Sequence, residues 1–320
     1  MRRIVLFAAM LAVAGAACAQ QGYPSRPLRM IVPWPPGQAT DLVGRVMAQK
    51  MSEVLGQQIV IDNRAGAGGM IGTDVAAKAT PDGYTLLAAS SGPVTINPLL
   101  QKAPYESERD LAPVANVCLS PYLLVTVPPF PAQNAREFVA LLKANPGKYS
   151  FASSGTGATG HLVAEWFNGM AGVQVTHIPY KGSVPALTDV ISGRVAYTLE
   201  TLAATMPHVK SGRLKTYGIS IARTSALAPG IEPLATAANL PGFDAAAWIG
   251  VMVTAGTPQA VIAKLAAAAE TAMQSAEVRE KLFTVGVEVD YRRPDEFTRY
   301  LKEQTGRYVD IIKKGNIKIE

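Results

Sequence analysis

The chain has 320 residues, 48% of them hydrophobic and 17% charged, and 30 Lys or Arg against 24 Asp or Glu give a formal net charge of +6. That length carries packed core for two domains. The basic residues are scattered, often near Glu or Asp, which excludes the dense basic stripe of a nucleic-acid binder and is compatible with attraction of small anions.

Arg2 and Arg3 precede an apolar run over 4–17, and Ala17-Cys18-Ala19 reads as a small-x-small cleavage site. The pattern predicts an export signal, too short to span a bilayer and cleaved after Ala19. Lipid anchoring at Cys18 is the alternative, but Gly15-Ala16-Ala17 lacks the Leu or Val expected ahead of the Cys. Cleavage leaves Cys118 alone, so no intramolecular disulfide is expected and stability rests on packing. No later apolar run nears the ~20 residues of a membrane helix. The mature chain is therefore expected to be exported and soluble.

Strands are predicted over 28–32 and 58–61, joined by a helix from Asp41 whose apolar positions 42, 43, 46, 47, 51, 54 and 55 keep helical spacing up to Gly56. Further strands are predicted over 84–88, 122–127, 149–152, 173–178, 196–199, 214–221 and 247–253. Helices are predicted over 138–143, after the 149–152 strand, and over 258–274 and 295–313. This alternation argues for α/β units with largely parallel sheets, in which ligands bind at the C-terminal ends of strands.

Two strand–loop–helix units fit that rule. Trp34-Pro-Pro-Gly37-Gln38-Ala39-Thr40-Asp41 follows the first strand, and Ser153-Ser154-Gly155-Thr156-Gly157-Ala158-Thr159-Gly160-His161 follows the one at 149–152. A helix N-terminus carries unpaired N–H groups and roughly +0.5 charge, which holds anions. Gly155 to Gly160 matches G-x-G-x-x-G, but the next strand ends His177-Ile178-Pro179-Tyr180 with no carboxylate before Asp189 to take a ribose. An anion-binding turn and a ligand-free tight turn remain, and the hydroxyls of Ser153, Ser154, Thr156 and Thr159 favour the first. Gly66-Ala67-Gly68-Gly69 is either a flexible connector or a stretch whose N–H groups approach a ligand closely.

His161, His177 and His208 lack metal-ligand spacing and Cys118 has no partner, so no metal site is expected. No G-x-S-x-G elbow occurs. Ser153 or Ser154 with His161 is the one hydrolase arrangement available, and no acidic orienter can be assigned to it. Trp34, at a strand end, is expected to wall the cleft, and Trp166 to lie in core.

The run Tyr23-Pro-Ser-Arg-Pro-Leu-Arg-Met-Ile-Val-Pro-Trp-Pro-Pro-Gly37 resembles the start of mature Bug-family receptors, the extracytoplasmic solute-binding proteins of the tripartite tricarboxylate transporter type. The resemblance continues in order through Asn63-Arg64-Ala-Gly-Ala-Gly-Gly69, Pro81-Asp-Gly-Tyr-Thr-Leu86, Asn97-Pro98, Phe151-Ala-Ser-Ser-Gly155, Pro179-Tyr-Lys-Gly182, Pro207-His208, Leu240-Pro-Gly-Phe243 and Ala255-Gly-Thr-Pro258. It implies an α/β, two-lobed periplasmic-binding-protein fold (type II like), each lobe a mostly parallel sheet flanked by helices. Crossings near Tyr122 and Ala247 would give a discontinuous first lobe, 20–122 with 247–320, and a second lobe, 123–246.

The resemblance also implies a periplasmic receptor, without cofactor or catalysis, that delivers a small carboxylate to a membrane permease. The carboxylate would be a di- or tricarboxylate, an acidic amino acid or an aromatic acid. A monomer is expected, and a sensor signalling to a membrane partner is the alternative. The implied ligand residues are Trp34, Gly37, Gln38, Ala39, Thr40, Asp41, Ala67, Gly69 and Ser91 on one lobe. On the other they are Ser153, Ser154, Thr156, Gly157, His161, Tyr180 and Glu200. Departures stand at Gln38 for a usual Gly, Ala65 for Pro, Met70 for Asn, Thr156 for Asn, and Glu200-Thr201 for Asp-Asn. The resemblance implies that this acidic position can face the cleft and meet a ligand's amino group, and Glu200 is one methylene longer.

Overall fold

The computed structural model describes residues 22–315 and residue 317; the export signal with Cys18 lies outside the described residues. The strands are β1 (Leu28–Val32), β2 (Ile59–Asn63), β3 (Thr85–Ser90), β4 (Leu111–Thr126), β5 (Ser150–Ser153), β6 (Thr176–Pro179), β7 (Tyr197–Thr201), β8 (Lys215–Ile219), β9 (Ala246–Thr254) and β10 (Glu288–Arg292). Their order is β2-β1-β3-β9-β4-β7-β5-β6, and both β8 and β10 also pair with β4. Parallel blocks, β2-β1-β3 and β6-β5-β7, stand at the two ends. The strands joining them pair antiparallel. Parallel strands are covered on both faces, so they read as continuous apolar runs; β1 buries Leu28, Met30, Ile31 and Val32.

β4 is much longer than the 122–127 strand expected, because Pro113 and Pro121 argue against a central strand. The fold admits them at irregularities. The β4–β9 register shifts between Pro113 and Ala115 and again between Asn116 and Cys118, and Pro121 closes the ladder opposite Ala246. Bulges tolerate a missing N–H and bend the strand. From Tyr122 the same strand pairs with β7, and from Leu123 also with β8. One strand therefore belongs to both lobes, whose strand ends face each other across a gap.

The helix Ala39–Leu55 buries Val43, Met47 and Met51 along one row and stops at Gly56, whose φ of 67° supplies a left-handed C-cap. Its apolar face joins Met30, Val251 and Leu265 in the core of the first lobe. Phe138, Phe151, Phe167, Tyr197 and Phe243 form the core of the second. The helix Pro294–Gly315 touches both lobes. Phe297 meets Trp248 edge-on at 5.3 Å, while Tyr308 and Ile311 pack with Leu162 of the helix Thr159–Ala171. Among the described residues, no helix is long and apolar enough to cross a membrane.

Candidate functional site

Four helices start where strands end at the gap. Ala39–Leu55 follows β1, Thr159–Ala171 follows β5, Ser183–Ile191 follows β6 and Leu202–Lys210 follows β7. None carries a side-chain cap on its first N–H groups. Each end therefore presents unpaired donors and a partial positive charge. Gln38 to Thr40, Ala158 with Thr159, Ser183, and Thr201 line one chamber together with Trp34, Ser120, Tyr122, Ser154 and Glu200. The chamber measures about 30 Å³, room for roughly two waters. An adjoining outer pocket of about 400 Å³ shares Trp34 and Ser154 and adds Pro35, Ala67, Gly69, Met70, Thr156, Tyr180 and Lys181.

No Lys or Arg lines the inner chamber among the described residues; its charged side chain is Glu200, which is 2% exposed. The Thr201 N–H donates to Glu200 Oε1 at 2.7 Å, while Oε2 has no partner among the described residues. Burial pushes the carboxyl above the usual range, and the bond from the Thr201 N–H offsets part of that rise. Ser120 Oγ and Thr201 Oγ1 also have no partner among the described residues. A buried polar atom left unpaired costs about 1–3 kcal/mol. Three such atoms around one space mark a place for a ligand or ordered water.

The lobes touch around this chamber. Gln38 Nε2 donates to Ser183 Oγ at 2.7 Å, and Ser91 Oγ lies 2.8 Å from Thr159 Oγ1. Within the first lobe, Asn97 Nδ2 donates to Gly68 O at 2.9 Å. Gly157 packs so tightly on Asn97 that a Cβ there would lie 1.6 Å from Oδ1.

Residues 43–317 match the family model for the tripartite tricarboxylate transporter family receptor. The chain belongs to this family. BugT of Bordetella pertussis is 36% identical over 323 residues, covering 100% of this chain and 99% of BugT. Rpa4515 of R. palustris, solved with adipate, is 29% identical with a TM-score of 0.88, over 93% of this chain and 99% of that one. MatC of Rhodopseudomonas palustris, solved with bound malate, is 30% identical with a TM-score of 0.86, over 91% of this chain and 100% of that one. The two-lobed α/β architecture is thus the family's, and the receptor is extracytoplasmic in class.

In this receptor Trp34, Gln38, Ala39, Thr40, Ser154 and Glu200 meet at the inner chamber, and Ala67, Gly69, Thr156 and Tyr180 at the outer pocket. Six other expected ligand residues lie on neither wall, and each has a different task. Gly37 N donates to Asp41 Oδ2 at 2.9 Å, and Asp41 also accepts from Arg45 and Asn63. Burial opposes these bonds, yet they hold the Asp41 carboxyl below its usual range; it anchors the loop. Ser91 is spent on Thr159, and Gly157 on Asn97. Ser153 is 1% exposed and its Oγ lies 2.7 Å from His177 Nε2. His161 Nδ1 accepts from Gly157 N at 3.3 Å. The hydrolase alternative, Ser153 or Ser154 with His161, finds no such hydrogen bond among the described residues, and Ser153 faces His177 behind the loop.

Ser120, Tyr122, Ser183 and Thr201 were not anticipated as chamber residues. Ser183 had a readable signal: strand, Gly182, then apolar residues at 184, 187, 190 and 191, the same device as the other two loops. Thr201 is the N-cap of a helix interrupted late by Pro207, which hid it.

His161 and His177 stack at 4.0 Å. Burial, and for His161 also the neighbouring His177, lowers their pKa values to about 3 and about 4. The unfolded chain takes up these protons near the ordinary histidine value, so their contribution to stability is complete above about pH 6.5. It is lost as pH falls toward the depressed values. Each histidine costs about 1.4 kcal/mol per pH unit in that window. Urea unfolding between pH 7 and pH 4 should show a slope that flattens in the His161→Gln/His177→Gln double variant. An unchanged slope would assign the acid sensitivity to other groups.

Proposed function

We propose that this receptor captures a small carboxylate in the inner chamber and delivers it to permease subunits of a tripartite tricarboxylate-type transporter. The observation that carries the reading is the convergence of four uncapped helix N-termini on one buried space. Such ends hold anions through backbone N–H groups. Charge-assisted bonds contribute about 1.5–3 kcal/mol each, so a few from both lobes support micromolar binding after ordering costs. The relatives solved with adipate and malate support the ligand class. Ala39, Thr40, Ser154, Thr159 and Thr201 would grip the carboxylate groups, with Trp34, Gln38, Thr156 and Glu200 selecting among acids.

The lobes in this reading are 20–122 with 247–320, and 123–246, closing about the crossing strands. The leader is removed after Ala19 in the periplasm, and the monomer catalyses nothing. Native mass spectrometry of protein purified without refolding, followed by a thermal-shift screen of di-, tri-, amino- and aromatic carboxylates, tests the proposal. A ligand at 100 times its dissociation constant stabilises by about 2.7 kcal/mol, which raises the melting temperature by several degrees in a chain of this size. A screen in which no carboxylate moves the melting temperature, with no bound acid in the mass spectrum, would overturn it.

A further inference from the structure

One wall of the small inner chamber is a side chain that bridges the two lobes. Gln38 stands at the N-cap of Ala39–Leu55 without capping that helix. It is 7% exposed, and its Nε2 reaches across the gap to Ser183 Oγ, 145 positions away in the chain. Beside it the lobes are in close contact. A Cβ on Gly182 would lie 2.9 Å from Pro35 Cγ and 3.7 Å from Gln38 Nε2. Both members of the pair line the chamber, and Ser183 also faces Glu200.

We propose that Gln38 is a ligand-independent latch between the lobes, and that its side chain sets the length of acid the chamber accepts. The first half follows from the bond itself. It joins two elements of opposite lobes through protein atoms alone, so it favours closure with the chamber empty. A buried hydrogen bond of this kind shifts an open–closed equilibrium by roughly two- to tenfold. The second half follows from volume. About 30 Å³ holds roughly two waters, so any diacid displaces or repacks the Gln38 amide. A six-carbon diacid demands more of that space than a four-carbon one. The latch therefore favours the shorter acid. This length argument rests on the carboxylate reading above; the latch itself does not.

Two variants separate the bond from the volume. Ser183→Ala removes the acceptor and keeps the glutamine in place. Gln38→Gly removes both, at an N-cap position where glycine is well tolerated. Small-angle scattering on the ligand-free proteins reads closure. The radius of gyration should increase in both variants relative to the parent, and equal radii in all three would overturn the latch. Calorimetry with malate and adipate reads length. Gln38→Gly should raise the adipate-to-malate affinity ratio at least tenfold, and Ser183→Ala should change it less than threefold. An unchanged ratio in Gln38→Gly would overturn the length role. If neither diacid binds any of the three proteins, the carboxylate reading fails, and scattering still decides the latch.

Discussion

Gly157→Val is expected to weaken carboxylate binding at least tenfold while both lobes remain folded. Gly157 has a φ of 75°, and a Cβ there would lie 1.6 Å from Asn97 Oδ1 on the facing lobe. Asn97 is itself tied to Gly68 O, and a Cβ on Gly68 would sit 2.5 Å from Thr156 O. A valine would act as a wedge between the Gly157 loop and the buried Asn97 side chain, which its bond to Gly68 O holds in place, so the four helix ends would not converge. Gly37→Val is the control. Its φ is 86°, but a Cβ there meets nothing within 4 Å, and its N–H serves Asp41. That variant should cost about 1–2 kcal/mol of stability from backbone strain and change affinity less than threefold. Calorimetry with the acid that raises the melting temperature, beside thermal melts, checks both. Wild-type affinity in Gly157→Val would sink the closure argument.

Glu200→Gln should lower affinity for an α-amino dicarboxylate such as aspartate at least tenfold, and for malate less than threefold. The chamber supplies donors almost everywhere, and the buried Glu200 Oε2 is an acceptor without a donor among the described residues. An ammonium group would pair with it in a low-dielectric space, where losing one partner of a charge pair is costly. The same site argues for a stability change of opposite sign. Because burial raises the Glu200 pKa, the folded state favours the proton. The group's favourable contribution is full below the ordinary carboxylate range and is lost as pH rises through the raised value. At neutral pH the ligand-free Glu200→Gln protein should therefore melt higher than the parent, a gain in stability at the expense of recognition. Equal affinity losses for aspartate and malate would argue against an ammonium contact.

Much of this architecture was legible from local pattern. The 28–32 strand, the helix to Gly56 and the long C-terminal helices follow from periodicity and end signals. What escaped was set by tertiary context. β4 runs through Pro113 and Pro121 because its neighbours accommodate irregular register. The helix Met70–Ala77 grows out of a glycine run whose left-handed residues, Gly68 and Gly69, belong to a tight entry turn. In the site, spacing located the strand-end loops, and both Gln38 and Glu200 drew notice as departures from a family pattern. Sequence could not tell wall from backing. Gly37 and Gly157 look equivalent in their loops, as do Ser153 and Ser154. Which serine faces the chamber, and which glycine packs against the other lobe, depends on Asp41, Asn97 and His177, residues whose positions only the folded chain reveals.

The four uncapped helix ends have one more consequence. A lysine or arginine that grips an acid can be mutated, acetylated or, for lysine, neutralised by alkali. A helix end has no proton to lose and no side chain to replace. The share of the attraction that comes from the helix ends should therefore persist from mildly acidic to strongly alkaline media and survive side-chain changes that leave the backbone path of the loops intact. Chamber side chains are then free to vary over evolutionary time, so one scaffold can be reassigned from acid to acid without passing through a form that binds none.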